Sequence, residues 1–238
     1  MKEEVFDIDG VDVTFFRSQK AKSLNITIKP FTGVRISVPR FVSFKKAKSI
    51  AQQRMDWIKS NLSKMQKAED RFTVFDYQTE FKTRSHHLQM TESSNSDVHT
   101  RVRNNVIAVD IPKDMDVHDK SVQLEVRRAI ERALLKEGKD YLPGRVKDLA
   151  EKHNFEFSKV TVRNSKTRWG SCSVDNNINL SLHLMRLPDH LVDYVILHEL
   201  THTKVKNHSK DFWQLLDQVS GNARKLDQEV KQNGIQIY

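Results

Sequence analysis

The chain has 238 residues, of which 37% are hydrophobic and 30% charged, and its formal net charge is +9. This composition is typical of a folded domain and excludes a disordered chain, and no apolar run is long enough to span a membrane. The acidic N-terminus lacks the apolar segment of a secretory signal, and the single cysteine, Cys172, cannot form an internal disulfide. We therefore expect a cytoplasmic protein in a reducing compartment.

The positive charge is concentrated near the N-terminus. Residues 1–64 contain 13 Lys/Arg and 6 Asp/Glu, whereas residues 65–238 contain 27 and 25. Such an asymmetry can mark a surface that binds nucleic acid or another polyanion. A solvated basic face is the favoured alternative, because the sequence has no known nucleic-acid motif and no Lys/Arg ladder with interleaved aromatic residues.

Alternating apolar and polar residues predict three strands in the N-terminal part. They cover residues 11–16, 23–28 and 33–38. Ser43 is expected to cap a helix that continues to about Met65, because apolar residues then recur at helical spacing.

The next segment is also predicted to form strands, at residues 72–75, 80–90 and 98–109, with polar turns between them. His86 and His87 are adjacent, so on a strand their side chains point to opposite faces and cannot share a metal site. We expect both to be exposed.

From about Val117 the pattern changes to that of helices, with apolar residues at every third or fourth position. Gly138 and Pro143 are expected to interrupt the helix, and a second helical segment follows. We therefore predict an α+β fold, with a β-rich N-terminal part at residues 1–117 that includes one helix, and a mainly helical part at residues 118–238.

The segment with the clearest chemistry is the HExxH motif of residues 198–202. On a helix, residues i and i+4 lie on one face, so His198 and His202 can bind one metal ion. Glu199 can then approach a water molecule on that ion without binding the metal itself. Chance alone would produce this motif in roughly 2% of chains of this composition, so the surrounding sequence must decide whether it marks a metal site.

Three features of the surrounding sequence support a metal site over a pair of surface histidines. Pro188 and Asp189 provide a helix start. The apolar residues before the motif would bury the helix, where an unligated histidine pair would be costly. His208 follows a predicted helix end and can supply a third imidazole, which leaves a fourth position for water. Asp211 or Asp217 is the alternative third ligand.

The same residues resemble the active-site segment of the YgjP-like metallopeptidases, which are relatives of the SprT-like proteins. The resemblance is carried by the HELxH motif of residues 198–202, by His208-Ser209 with Phe212-Trp213, and by the upstream RWGSCS segment of residues 168–173. It implies that the C-terminal part is a zincin-like catalytic domain. It also implies that His198, His202 and His208 hold one zinc ion, and that the reaction is hydrolysis of a peptide bond in a peptide or protein substrate.

A hairpin is expected just before the helix of the motif, formed by residues 168–174 and 177–184 around an Asp-Asn-Asn turn. An extended peptide could pair with the edge of this hairpin through main-chain hydrogen bonds. Arg168 and Asn179 on the hairpin are therefore candidate substrate-binding residues, although an ion pair within the fold is the alternative for Arg168.

The residues after His208 are expected to support it. Phe212 and Trp213 are predicted to brace this ligand at the start of a final helix. A metal-bound histidine usually donates its other ring N–H to a carboxylate or carbonyl, so Asp211 is a candidate partner of His208.

Three functions remain open at this point. The first is a zinc metallopeptidase with Glu199 as general base. The second is an SprT-like protease that acts on nucleic-acid-bound proteins, which the basic N-terminal third suggests. The third is a non-catalytic module with a structural zinc, which would require a fourth protein ligand and would have no need of a carboxylate at Glu199.

Overall fold

The computed structural model describes residues 3–69 and 72–234, which form an α+β fold as predicted. The chain divides into two compact units, one from the N-terminus to Val74 with His118–Leu124, and one comprising Phe75–Val117 and the residues from Glu125 onward. None of the described helices is both long enough and apolar enough to cross a membrane. We predicted that the catalytic part begins at residue 118, and this boundary stays a prediction.

The first unit contains a four-stranded mixed sheet followed by two helices. The elements are β1 (Glu3–Ile8), β2 (Val11–Ser18), β3 (Asn25–Lys29), β4 (Gly33–Pro39), α1 (Phe44–Gln53) and α2 (Met55–Glu69). The strand order is β1-β2-β4-β3, with β2 and β4 parallel and the other pairs antiparallel. Alternate side chains of the strands, including Phe15 and Ile36, form a core with Ala47, Ala51 and Ile58 of the helices.

The three strands predicted for this unit are confirmed, and one strand was missed. In β1 the burial alternates, but the sequence does not, because Val5 is an exposed apolar residue and Glu4 an inward polar one, so the sequence signal is weak. Ser43 caps α1 as predicted, because its hydroxyl accepts a hydrogen bond from the backbone N–H of Lys46 at 3.2 Å. The predicted single helix is interrupted at Arg54, which separates α1 from α2.

The second unit contains two three-stranded sheets and most of the helical residues. Its elements are β5 (His87–Ser93), β6 (His99–Arg103), β7 (Val106–Pro112), α3 (Lys120–His153, which starts in the first unit), β8 (Lys159–Arg163), β9 (Gly170–Cys172), β10 (Asn177–Ser181), a 3-10 turn (Leu182–Arg186), α4 (Asp189–Lys204), α5 (Lys210–Ser220) and α6 (Ala223–Gln232). The sheet orders are β5-β7-β6 and β8-β10-β9.

Three expectations for the middle segment were wrong. Residues 72–75 are not in a strand, and β5 begins only at His87. His87 is exposed as expected, but His86 is buried because its ring pairs with the carboxylate of Glu137, 51 residues away on α3. No local sequence pattern reports such a distant partner.

The interruption predicted at Gly138 and Pro143 is also wrong, because α3 is one continuous helix. A Cβ atom at Gly138 would lie 3.1 Å from Cγ1 of Val162, so the glycine allows close packing of the helix. Pro143 costs one backbone hydrogen bond, but its neighbours Leu142 and Val146 are fully buried. Tertiary packing therefore outweighs the local helix-breaking signals.

The hairpin predicted before the motif is confirmed. β9 and β10 pair antiparallel, with Ile178 opposite Cys172 and Leu180 opposite Gly170. The turn contains Asn176 at a φ of 57°, the left-handed region that asparagine tolerates. Because β10 also pairs with β8, it is the central strand, and β9 lies at the edge of its sheet.

Candidate metal centre

Helix α4 positions the HExxH motif. It starts directly after Pro188 and ends at Lys204, where the backbone N–H of Val205 still bonds to the carbonyl of Thr201. Val192 and Ile196 are fully buried and anchor the helix in the core. The helix bounds follow the prediction, and they place the two histidines of the motif on one helical face.

Three imidazole rings converge beside this helix. Nε2 of His208 lies 3.1 Å from Nε2 of His198 and 3.2 Å from Nε2 of His202. Tetrahedral zinc with Zn–N bonds of about 2.0–2.1 Å requires nitrogens about 3.3 Å apart. Within residues 3–69 and 72–234, this is the only group of three or more His, Cys, Asp or Glu side chains whose ligand atoms lie within 4.8 Å of one another. Neither Asp211 nor Asp217 joins it.

A hydrogen bond fixes the tautomer of His202. Its Nδ1 lies 3.0 Å from the backbone carbonyl oxygen of Val205, which can only accept. Nδ1 therefore carries the hydrogen, and the neutral ring directs the lone pair of Nε2 towards the other two imidazoles. This arrangement fits a metal ion better than a network of histidines bonded to one another.

Burial favours neutral imidazoles in this cluster. It lowers the pKa of His198 to about 4, with a further contribution from His202 and His208. Burial also lowers the pKa of His202, against the opposing effect of its hydrogen bond to Val205. Both rings are therefore neutral near pH 7 and can bind a metal ion without first losing a proton.

Phe212 supports all three rings. It lies in the first turn of α5 and is fully buried, and its ring centroid is 4.9, 4.5 and 4.7 Å from those of His198, His202 and His208. The sequence indicated support for His208 alone. Trp213 lies farther away, with its centroid 6.3 Å from that of His208.

The carboxylate of Glu199, the residue that follows His198 on α4, is buried. The residue is 5% exposed, and its Oε2 atom has no hydrogen-bond partner in the part of the chain that the structure describes. Burial raises the pKa of Glu199 to about 8, and the positive charge of Arg168 opposes this shift. A buried carboxylate with an unpartnered oxygen and a strongly shifted pKa is typical of a functional residue.

A family comparison decides the class of the protein. The model of the YgjP-like metallopeptidase domain matches residues 22–233. The chain belongs to the YgjP-like metallopeptidase family. It is therefore a metallohydrolase of the peptidase class, and its substrate is a peptide or protein.

Other comparisons add little to this assignment. No curated protein matches the chain in sequence. Two solved structures are partly similar, the metallopeptidase zymogens abylysin of Pyrococcus abyssi and jannalysin of Methanocaldococcus jannaschii. Abylysin is 20% identical, over 37% of this chain and 89% of its own, and jannalysin is 23% identical, over 37% and 92%; each has a TM-score of 0.34. Likeness at this level carries no argument about the function of this YgjP-like protein.

Gly170 is a feature of this YgjP-like site to which the sequence analysis gave no role. It lies on β9, directly against Glu199, and a Cβ atom at Gly170 would be 2.6 Å from Oε1 of that carboxylate. A glycine within a strand pattern often marks close approach of another group, so the sequence could have predicted tight packing at Gly170. It could not have identified Glu199 as the group that approaches.

The remaining candidate residues of the YgjP-like protein, Arg168, Asn179 and Asp211, have different surroundings. Arg168 is exposed just before β9 and forms no ion pair with any described residue, although its charge acts on Glu199. The side chain of Asn179 accepts a hydrogen bond from the hydroxyl of Thr161 at 3.1 Å, within the sheet. Asp211 is exposed in the first turn of α5. Their substrate-binding and supporting roles stay predictions.

Proposed function

We propose that the protein is a zinc metallopeptidase in which His198, His202 and His208 hold one zinc ion and Glu199 is the general base. The observation that carries this proposal is the convergence of three Nε2 atoms, at 3.1 and 3.2 Å, two of them from the helix that also carries the buried Glu199. The cluster contains no fourth protein ligand among the described residues, which supports a catalytic site over a closed structural one.

The proposed chemistry is a general acid–base hydrolysis. Zinc, when bound, polarises the scissile carbonyl and lowers the pKa of a bound water towards about 7. Glu199 accepts a proton from the attacking water. It then returns that proton to the amine nitrogen as the C–N bond breaks. Burial raises the pKa of Glu199 to about 8 in the metal-free protein, and the charge of a bound cation would lower it and favour the ionised carboxylate that this first step needs.

Edge strand β9 is the proposed binding surface for the peptide backbone. β9 pairs only with β10, and it passes directly beside Glu199 at Gly170. An extended substrate can add to such an edge through main-chain hydrogen bonds, which would bring its scissile bond next to the carboxylate. Arg168, exposed where the chain enters β9, is available to bind a substrate carbonyl or carboxylate.

Proteins bound to nucleic acid are a narrower substrate class. This idea rests on the excess positive charge of residues 1–64 and on the resemblance to relatives of the SprT-like proteins, and it stays a prediction.

A peptide-library screen tests the proposed activity. The purified protein should cleave library peptides, lose that activity with a zinc chelator, and regain it when zinc is restored. If no peptide is cleaved by zinc-loaded protein, or if the chelator leaves cleavage unchanged, the proposal is wrong.

A single methyl group at Gly170 should displace the general base. The nearest atoms to a Cβ at this position are the flexible end of Glu199, at 2.6 to 2.9 Å, so the carboxylate would move while the backbone keeps its place. We expect Gly170→Ala to keep its fold and its zinc and to lose about 100-fold in kcat/KM, because small misplacement of a reacting group is that costly. Peptide cleavage and zinc content measured on the same preparation check this.

Gly144→Ala is the matched control. Gly144 lies in α3, and nothing lies within 4 Å of an added Cβ atom. This variant should cleave at the parent rate and gain about 0.4–1 kcal/mol in stability. Parent-level cleavage by Gly170→Ala would show that Glu199 does not need its present position.

A further inference from the structure

A second polar cavity lies within the second unit and shares no lining residue with the metal cluster. Its volume is about 510 Å³, and it is lined by the chain around Arg84–His86, by Asn105, by one face of α3 and by Met185. Small-molecule sites in proteins commonly have volumes of about 300–1,000 Å³. The cavity is therefore large enough for a small organic ligand.

Two buried residues of this cavity form a fixed pair. His86 and Glu137 are 4% and 5% exposed, and Nδ1 of His86 donates to Oε1 of Glu137 at 2.7 Å. The same oxygen accepts from the backbone N–H of Ser85 at 3.0 Å and from the hydroxyl of Thr83. All of these contacts hold the carboxylate by one oxygen, so its orientation is set before any ligand arrives.

The other two polar atoms of the pair are unused. Nε2 of His86 and Oε2 of Glu137 are both buried, and neither has a hydrogen-bond partner in residues 3–69 and 72–234. Because Oε1 of Glu137 can only accept, Nδ1 of His86 carries the hydrogen of this bond. A buried carboxylate oxygen without a donor calls for a ligand that brings a hydrogen-bond donor.

The buried carboxylate favours a cationic donor. Glu137 is buried, and Asp140 adds a second acidic group to the lining. Two cations also line the cavity: Lys136 is exposed, and Arg84 pairs with Asp189 and stacks over the ring of Tyr141 at 4.7 Å. A positive ligand would donate a charge-assisted hydrogen bond to Oε2 of Glu137, the carboxylate oxygen that has no partner among the described residues.

We propose that this cavity binds a small organic molecule that carries a protonated amine, amidinium or guanidinium group. The positive N–H groups contact Oε2 of Glu137. Tyr141 and Met185 supply apolar surface to the rest of the molecule. The proposal does not depend on peptidase activity.

A titration followed by ¹⁵N NMR tests the proposal on the full-length, metal-loaded protein. Benzamidine is the probe, and benzamide and benzoate are its neutral and anionic analogues of nearly the same shape. We expect benzamidine to shift the backbone amide signals of Ser85 and Asn105, which line the cavity, and benzoate to leave them unchanged. Equal shifts with benzoate, or no shift with benzamidine, would overturn the proposal.

Variants of α3 assign the binding to the buried carboxylate. Glu137→Gln should weaken benzamidine binding about tenfold or more, since it removes a charge-assisted hydrogen bond. The matched control is Glu151→Gln, an exposed site on the same helix where Glu151 pairs only weakly with Lys147 at 3.7 Å, and binding should be unchanged.

Asp140→Asn, a variant at an exposed residue of the cavity lining, keeps the test decisive if Glu137→Gln fails to fold. Asp140→Asn removes an exposed charge from the lining without breaking a buried bond, and it should weaken binding about two- to fivefold. If Glu137→Gln folds, unchanged benzamidine affinity in that variant would contradict the proposed site. If Glu137→Gln does not fold, unchanged affinity in Asp140→Asn would contradict it.

Discussion

Glu199→Gln should retain zinc and lose peptide hydrolysis by about 10²–10⁴-fold in kcat. Glutamine has nearly the same size and shape as glutamate, but its amide cannot take a proton from water. The side chain of Glu199 is not one of the clustered ligand groups, so the three imidazoles should still hold the metal. Initial rates on a cleaved peptide, with zinc measured on the same sample by mass spectrometry, give both quantities.

Stability controls separate lost chemistry from lost folding in this variant. Burial already raises the pKa of Glu199 to about 8, which means that the site accommodates a neutral side chain well. Glutamine should therefore cost little stability, and thermal unfolding of the zinc-loaded variant should match the parent. Hydrolysis at the parent rate would exclude Glu199 as the general base.

Removal of any one of the three clustered imidazoles should release the metal. His198→Ala, His202→Ala and His208→Ala each leave two protein ligands, and we expect zinc affinity to fall by more than about 100-fold. Loss of an outer hydrogen-bond partner alone costs about 10- to 100-fold, so loss of a ligand costs more. Zinc competition against a chromogenic chelator measures the affinities.

His208→Ala separates loss of the metal from loss of folding. His208 is exposed on the loop after α4, so its replacement should leave stability of the metal-free protein unchanged. His190→Ala is the matched control, because His190 is exposed on the same helix as the motif and contacts Glu229 at 3.1 Å, outside the cluster. It should keep its zinc. Stoichiometric zinc in all three cluster variants would refute the ligand set.

Local sequence rules predicted the part of the site that lies on one helix. The i,i+4 spacing of His198 and His202 fixes their common face, and Pro188 marks where that helix starts. The third ring comes from a loop six residues later, and its ligand role was inferred from spacing and family resemblance. The structure brings His208 within 3.2 Å of both other nitrogens.

The features that the sequence did not reveal depend on contacts between distant segments. Gly170 lies against Glu199 only because β9 packs on α4. His86 is buried because Glu137, far along the chain, supplies its partner. α3 continues through Gly138 because close packing on Val162 needs the missing side chain there. Each residue was interpreted from its neighbours in sequence, whereas its conformation or burial depends on tertiary contacts.

A crystal structure with anomalous diffraction measured at the zinc absorption edge tests the central claim most directly. We predict one zinc peak within about 2.0–2.1 Å of Nε2 of His198, His202 and His208, with a water molecule completing the tetrahedron on the side of Glu199. A zinc ion bound elsewhere, or a fourth protein side chain closing this position, would contradict the proposed catalytic site.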